Sequence, residues 1–182
     1  MNLVMKLISG LATLFLSFTL IISTAAAQEN NTSPTSEKVD VYGLFWPIVP
    51  GKTVGDPMFM LKQLKESLSG MFVFGNVGKS EHQIQISEKR LVEAAKLIEN
   101  KDFSNAVKSI EMNAEARKSA LLLKKKAIEE KADALELTNK LVKSLGNQEK
   151  ALIYLQSQMG ENEKAKMNEI LKQIPLQISE AK

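Results

Sequence analysis

The chain has 182 residues, a charged fraction of 25%, an apolar fraction of 44% and a formal net charge of +3. That composition suits one folded domain and excludes a disordered or strongly basic nucleic-acid-binding chain. It contains no cysteine, which excludes disulfides, a lipid-attachment cysteine and thiol chemistry.

The first 27 residues read as a signal peptide. Lys6 precedes the apolar run Leu7 to Ile22, and Ala25 and Ala27 meet the A-x-A rule for cleavage between Ala27 and Gln28. Losing the leader removes Lys6 alone and takes the net charge from +3 to +2. The expected product is exported, periplasmic or extracellular. A leader left uncleaved would instead anchor the chain, and only then is membrane contact expected. Residues 28–40 are rich in Asn, Thr, Ser and Glu and read as a disordered tether.

Residues 41–56 carry Tyr42, Phe45 and Trp46 beside Pro47, Pro50, Gly51 and Gly55. The prolines exclude a central helix or strand. An extended aromatic arm is expected, lying on the helices near Phe72 and Phe74. Asp56-Pro57 signals a helix start, with Met58, Leu61, Leu64, Lys65 and Leu68 on one side and Gly70 at the end. Met71 to Phe74 reads as a buried connection. Ser80 with Gln83 reads as a capping box for a helix whose inner face is Ile84, Glu88, Leu91, Ala95 and Ile98. Asn100 is placed to reverse the chain in the left-handed conformation, and Asp102 caps the next helix.

That next helix organises the rest. Val107, Ala114, Leu121, Ile128, Leu135 and Val142 recur every seven residues, with no Pro or Gly between Asp102 and Leu145. A continuous helix over 102–145 would be roughly 66 Å long, so other helices must pack along it. Arg117, Lys124 and Lys131 fall where a coiled-coil seam wants apolar residues, so a homo-oligomer is not favoured. Gly146-Asn147 should separate this helix from a fourth, residues 148–159, and Pro175 should bend or stop a fifth. The expected fold is all-α: an elongated helical bundle of four to five helices along one long central helix, in a single domain over residues 41–182.

Pro50-Gly51, then Lys62 and Glu66, then Arg90-Leu91-Val92-Glu93-Ala94 with the Asn100-Lys101-Asp102 turn form an ordered series. Over residues 50–145 it resembles a bacterial extracytoplasmic helical family of unknown function, whose members begin with a Pro-Gly, a helix with spaced Lys and Glu, and a helix with an Arg-Leu-x-Glu-Ala core. The resemblance implies a secreted or membrane-tethered helical bundle and carries over no activity. On their own chemistry, Lys62 and Glu66 form an i,i+4 pair. Arg90 shares a face with Glu93 or reaches Glu66 across the helices. These four residues are expected to be structural ion pairs.

No catalytic constellation is found. His82 is the sole histidine and has no cysteine to join it in a zinc site, so it is a surface residue. No metal, cofactor or catalytic residue is expected. Lys124-Lys125-Lys126 is partly neutralised by Glu129 and Glu130 and reads as a solvated face. The expected function is a non-enzymatic envelope module that binds an unknown protein or peptide. The alternative is a structural spacer or oligomer tethered by an uncleaved leader. The two differ at Tyr42, Phe45, Trp46, Phe72 and Phe74, which a binder exposes and a spacer buries.

Overall fold

A computed structural model describes residues 38–182. The leader, its cleavage point at Ala27 and Gln28, and the tether up to residue 37 lie outside the described residues. Among the described residues there is no strand. These described residues form six helices, α1 (Val41–Leu44), α2 (Phe59–Met71), α3 (Gly75–Glu99), α4 (Phe103–Glu129), α5 (Leu135–Ser157) and α6 (Glu161–Ala181). None of them is long and apolar enough to cross a membrane.

Each of the four aspartates sits at the start of a helix and accepts a backbone N–H. Asp40 takes Gly43, Asp56 takes Met58, Asp102 takes Asn105 and Asp133 takes Leu135. A short carboxylate bonds a nearby amide more readily outside a helix than within one, which is why aspartate marks starts. Asp56 acts one turn earlier than the regular helix, which begins at Phe59.

The α3–α4 and α4–α5 turns are built alike. Lys101 and Lys131 both have φ 60. The Lys101 N–H bonds Ile98 O and the Asp102 N–H bonds Leu97 O; likewise the Lys131 N–H bonds Ile128 O and the Ala132 N–H bonds Ala127 O. This paired bonding is the Schellman closure. Two expectations change here. Lys101, not Asn100, holds the left-handed position. The helix expected over 102–145 stops at Glu129, because the same closure occurs at Lys131 in a stretch without Gly or Pro. The bundle survives that correction, since the seven-residue band serves α4 as far as Leu121. Beyond it Ile128 and Leu135 are exposed, and Leu137, Leu141 and Leu145 take over the core.

The neighbouring pairs are α3–α4, α3–α5, α4–α6, α5–α6 and, at one end, α1 with α3 and α5. Ser109 Oγ donates to Arg90 O, and Ser80 Oγ to Ala120 O. The residue numbers rise on α4 as they fall on α3, so those two helices are antiparallel. Ser80 is therefore a buried tie inside α3 rather than a cap, because α3 already begins at Gly75. Gly146 lies inside α5, and α6 continues past Pro175. Residues 148–159 do not form a separate helix.

Two apolar clusters fill the bundle. One gathers Val41, Phe45, the α3 run Leu91 to Ile98, Ile110, Leu152, Leu155, Met167 and Ile174; the other joins Ile84, Leu121, Leu137, Leu141, Leu145 and Ala181. A buried amide and hydroxyl network links α3, α4 and α5. Asn113 Nδ2 donates to Ser87 O at 2.9 Å and to Gln148 Oε1 at 2.6 Å; Gln148 Nε2 donates to Ser87 Oγ at 2.9 Å and to Ser144 Oγ at 2.8 Å. Such a network fixes the relative height of three helices, because sliding any one strands several polar groups.

The solvated reading of the lysine run also changes. Lys125 and Lys126 are exposed, but Lys124 is buried and donates to Ala181 O at 2.8 Å. Arg117 is 1% exposed, and none of its guanidinium nitrogens has a hydrogen-bond partner among the described residues. Burial pushes its pKa down to about 10, so it stays charged at neutral pH. Two of the positions that argued against a seam, Arg117 and Lys124, thus face inward all the same.

Candidate functional site

The arm docks through its first aromatic residues and holds Trp46 out. α1 plugs Val41 and Phe45 into the larger apolar cluster, and Tyr42 Oη donates to Glu99 Oε2 at 2.9 Å. Burial and that carboxylate push the Tyr42 hydroxyl well above its usual range. Farther along, Lys96 Nζ reaches Gly51 O, and Lys62 Nζ reaches Lys52 O. Gly55 has φ +92, and a Cβ there would come within 2.7 Å of Asn105 Nδ2, so only glycine fits this turn.

Trp46 remains 79% exposed. The expectation that it packs near Phe72 and Phe74 is overturned, since those residues are 76% and 88% exposed. The reason lies in α2, which meets the bundle by its charged side. Phe59 is its one buried residue. Met58, Leu61, Leu64 and Leu68, expected to face inward, point to solvent. Phe72 and Phe74 follow the apolar side outward, so the Met71 to Phe74 connection is not buried.

What α2 turns inward is an ion cluster that brings Lys62, Glu66, Arg90 and Glu93 together. Arg90 Nη1 donates to both carboxylate oxygens of Glu93, at 3.0 and 2.8 Å. Lys62 pairs with Glu93, and Arg90 Nη2 with Glu66. Lys89 joins Glu66 at 2.7 Å. Lys62 and Glu66 thus take partners from α3 instead of each other. The Phe59 ring lies 5.3 Å from both the Lys62 ammonium and the Arg90 guanidinium, a cation–π arrangement that adds an apolar lid. Burial lowers the Lys62 pKa, and Glu93 opposes that fall. At Glu66 burial acts upward, but Lys89 and Arg90 together hold its carboxyl below the usual range. Every charge here has an opposite neighbour, which suits a latch more than a reactive centre.

Beside the latch, the arm, α2, α3 and α5 enclose a groove of about 1040 Å³. Trp46 and Val49 form one wall. Its lining includes six lysines (52, 62, 65, 89, 140 and 143) against three glutamates (66, 81 and 88). Lys140 is bound to Glu81 at 2.7 Å and Glu136 at 3.0 Å. Among the described residues Lys65 and Lys143 form no ion pair. Burial raises the Glu88 carboxyl, partly opposed by Ser144, whose Oγ donates to it at 2.7 Å, and by Lys143. His82 also lines the groove. Tyr42, Phe72 and Phe74 are not among its lining residues, so the five aromatic residues expected to act as one surface divide among core, groove and the end of α2.

Sequence reasoning missed Lys143, the role of Glu88 and the buried amides. Lys143 and Glu88 come together only when α5 packs parallel to α3, which requires the turn at Lys131. Among the described residues no group of three or more His, Asp or Glu is placed to hold a metal ion. Comparison with known proteins found no matching family model, no matching curated protein and no matching solved structure.

Proposed function

We propose that the protein is a non-enzymatic envelope interaction module whose groove takes an extended acidic peptide segment of a partner protein. The observation that carries this reading is Trp46, 79% exposed on a groove wall although its neighbour Phe45 is buried. A spacer gains nothing by holding a large indole in water, whereas a half-wet aromatic beside free cations is a common anchor for a bound chain. Lys65 and Lys143, the groove lysines outside the ion pairs, select acidic side chains. The envelope setting rests on the leader-like first 27 residues and on the family resemblance.

Trp46 is the sole tryptophan and reports directly. Its emission in the free protein should be red and readily quenched by iodide. Titration with a synthetic peptide alternating Glu and Leu should shift it blue, and Lys143→Glu should weaken the effect. A Lys–Leu peptide should do nothing. Equal responses to both peptides, or none to either, would sink the reading.

A further inference from the structure

We propose that the outward face of α2 is an interface between two copies of this chain, paired antiparallel about a two-fold axis at the level of Glu66. The inference goes beyond the groove and does not depend on it. α2 is an amphipathic helix mounted with its polar side inward. Its outward residues Leu61, Leu64, Leu68 and Met71 are spaced 3, 4 and 3 apart, the interval of a seam between two helices. All four are exposed, as are Met60 and Phe72 at the edges.

The stripe matches itself when reversed. Met60 and Phe72, Leu61 and Met71, and Leu64 and Leu68 are equidistant from Glu66. An antiparallel copy therefore places apolar against apolar in every layer, the self-complementarity that a two-fold interface requires. Glu66 itself points away from the seam into the latch. The stripe with Phe72 and Phe74 exposes on the order of 800 Å² of side chain, above the largest patch of a typical monomer and equal to one half of a standard specific interface. A lipid surface fits less well. The one charge on the seam's rim is Lys65, whereas interfacial helices carry several cations.

The chain has no cysteine, so single cysteines can be read without background. Full-length chains carrying Leu64→Cys and Leu68→Cys are co-expressed, oxidised mildly and compared with each variant alone. The antiparallel seam puts 64 opposite 68 of the other copy, while 64 and 64 are offset by roughly 6 Å along the axis. The mixed disulfide should form at least about tenfold faster than either self-pair. Leu176→Cys, exposed on α6, should not cross-link. Faster self-pairs would overturn the antiparallel geometry, and absence of cross-linking would overturn the interface. A polarity-sensitive dye attached to the thiol of the Leu64→Cys variant that brightens only with phosphatidylglycerol vesicles would assign the face to lipid and overturn the proposal. Salt should strengthen the pairing, because it screens the two Lys65 side chains near the axis, and should weaken acidic-peptide binding. Lys143→Glu should leave cross-linking unchanged, so the groove and the seam can fail separately.

Discussion

α2 and α3 meet at one ion cluster but present it with opposite kinds of helix. α3 hides nearly every residue from Arg90 to Ile98, and its charges Arg90 and Glu93 are islands within apolar surroundings. α2 hides Phe59 and otherwise offers the bundle charge, leaving its leucines in water. Burial of apolar area therefore holds α3, while charge pairing holds α2. The difference teaches that amphipathicity specifies the shape of a helix but not which face is inward. A neighbour already rich in buried charge can claim the polar face.

The largest test of that contrast is Glu93→Ala. Glu93 is fully buried and accepts from both Lys62 and Arg90. Its loss leaves Lys62 with no carboxylate partner and Arg90 with Glu66 alone, and stability should fall by about 3–5 kcal/mol, read from urea unfolding. A loss below about 1 kcal/mol would show that α2 is held by something other than the latch. Leu91→Ala comes next. Leu91 is fully buried in the larger cluster, so about 2–4 kcal/mol should be lost through missing contacts and the residual cavity. The two losses should also differ in kind. Glu93→Ala should expose α2 to proteolysis before the bundle unfolds, whereas Leu91→Ala should weaken the whole unit together.

Much of this contrast was within reach of the sequence, and its sense was not. The helical class, the α3 face through Ile84, Leu91, Ala95 and Ile98, the Asp102 cap and the tight α3–α4 turn all follow from local pattern. The charged quartet could be picked out by spacing, because Arg90 and Glu93 must share a face. The turn at Lys131 could not be read in the same way. Lysine seldom takes a left-handed conformation, and the seven-residue band runs on through Ile128 and Leu135 as if unbroken. Asp133 was the available signal, since Asp56 and Asp102 already read as helix starts. The buried amides were invisible for a different reason. Asn113 and Gln148 resemble surface residues until three helices bring their partners together.

Two glutamates near the α3 surface sharpen the comparison through pH. At Glu66, burial favours the protonated acid but the two cations outweigh it, so the folded pKa lies below the ordinary 4.5. Such a group adds stability above about pH 4.5 and loses it as pH falls through the folded value. Glu88 is shifted the other way by burial, with Ser144 and Lys143 only partly offsetting it. It costs stability as pH rises through its raised value. Glu66→Gln should therefore flatten the acid limb of stability between about pH 2 and 5. Glu88→Gln should steepen the net rise towards neutrality and stabilise the protein at about pH 7. Denaturant midpoints measured across about pH 3–7 decide the matter, and identical slopes in both variants would contradict the assigned environments.

The smallest expected effect is at Leu64, and it is the most direct check on how α2 is mounted. If the leucine faces water, Leu64→Ala removes no buried contact within the chain. Alanine has the better helix propensity, by a few tenths of a kcal/mol at most. In dilute solution, where chains are apart, stability should move by no more than about 0.5 kcal/mol in either direction. The same substitution at Leu91, on a helix of the same bundle, should cost several times more. At high protein concentration the seam adds a second effect, because a two-fold interface would lose Leu64 from both copies at once. The denaturation midpoint of the parent chain should then rise with concentration, and that of the variant should rise less. A large loss in dilute solution would mean that α2 packs inward on its leucines, and that the charged latch lies on the outside.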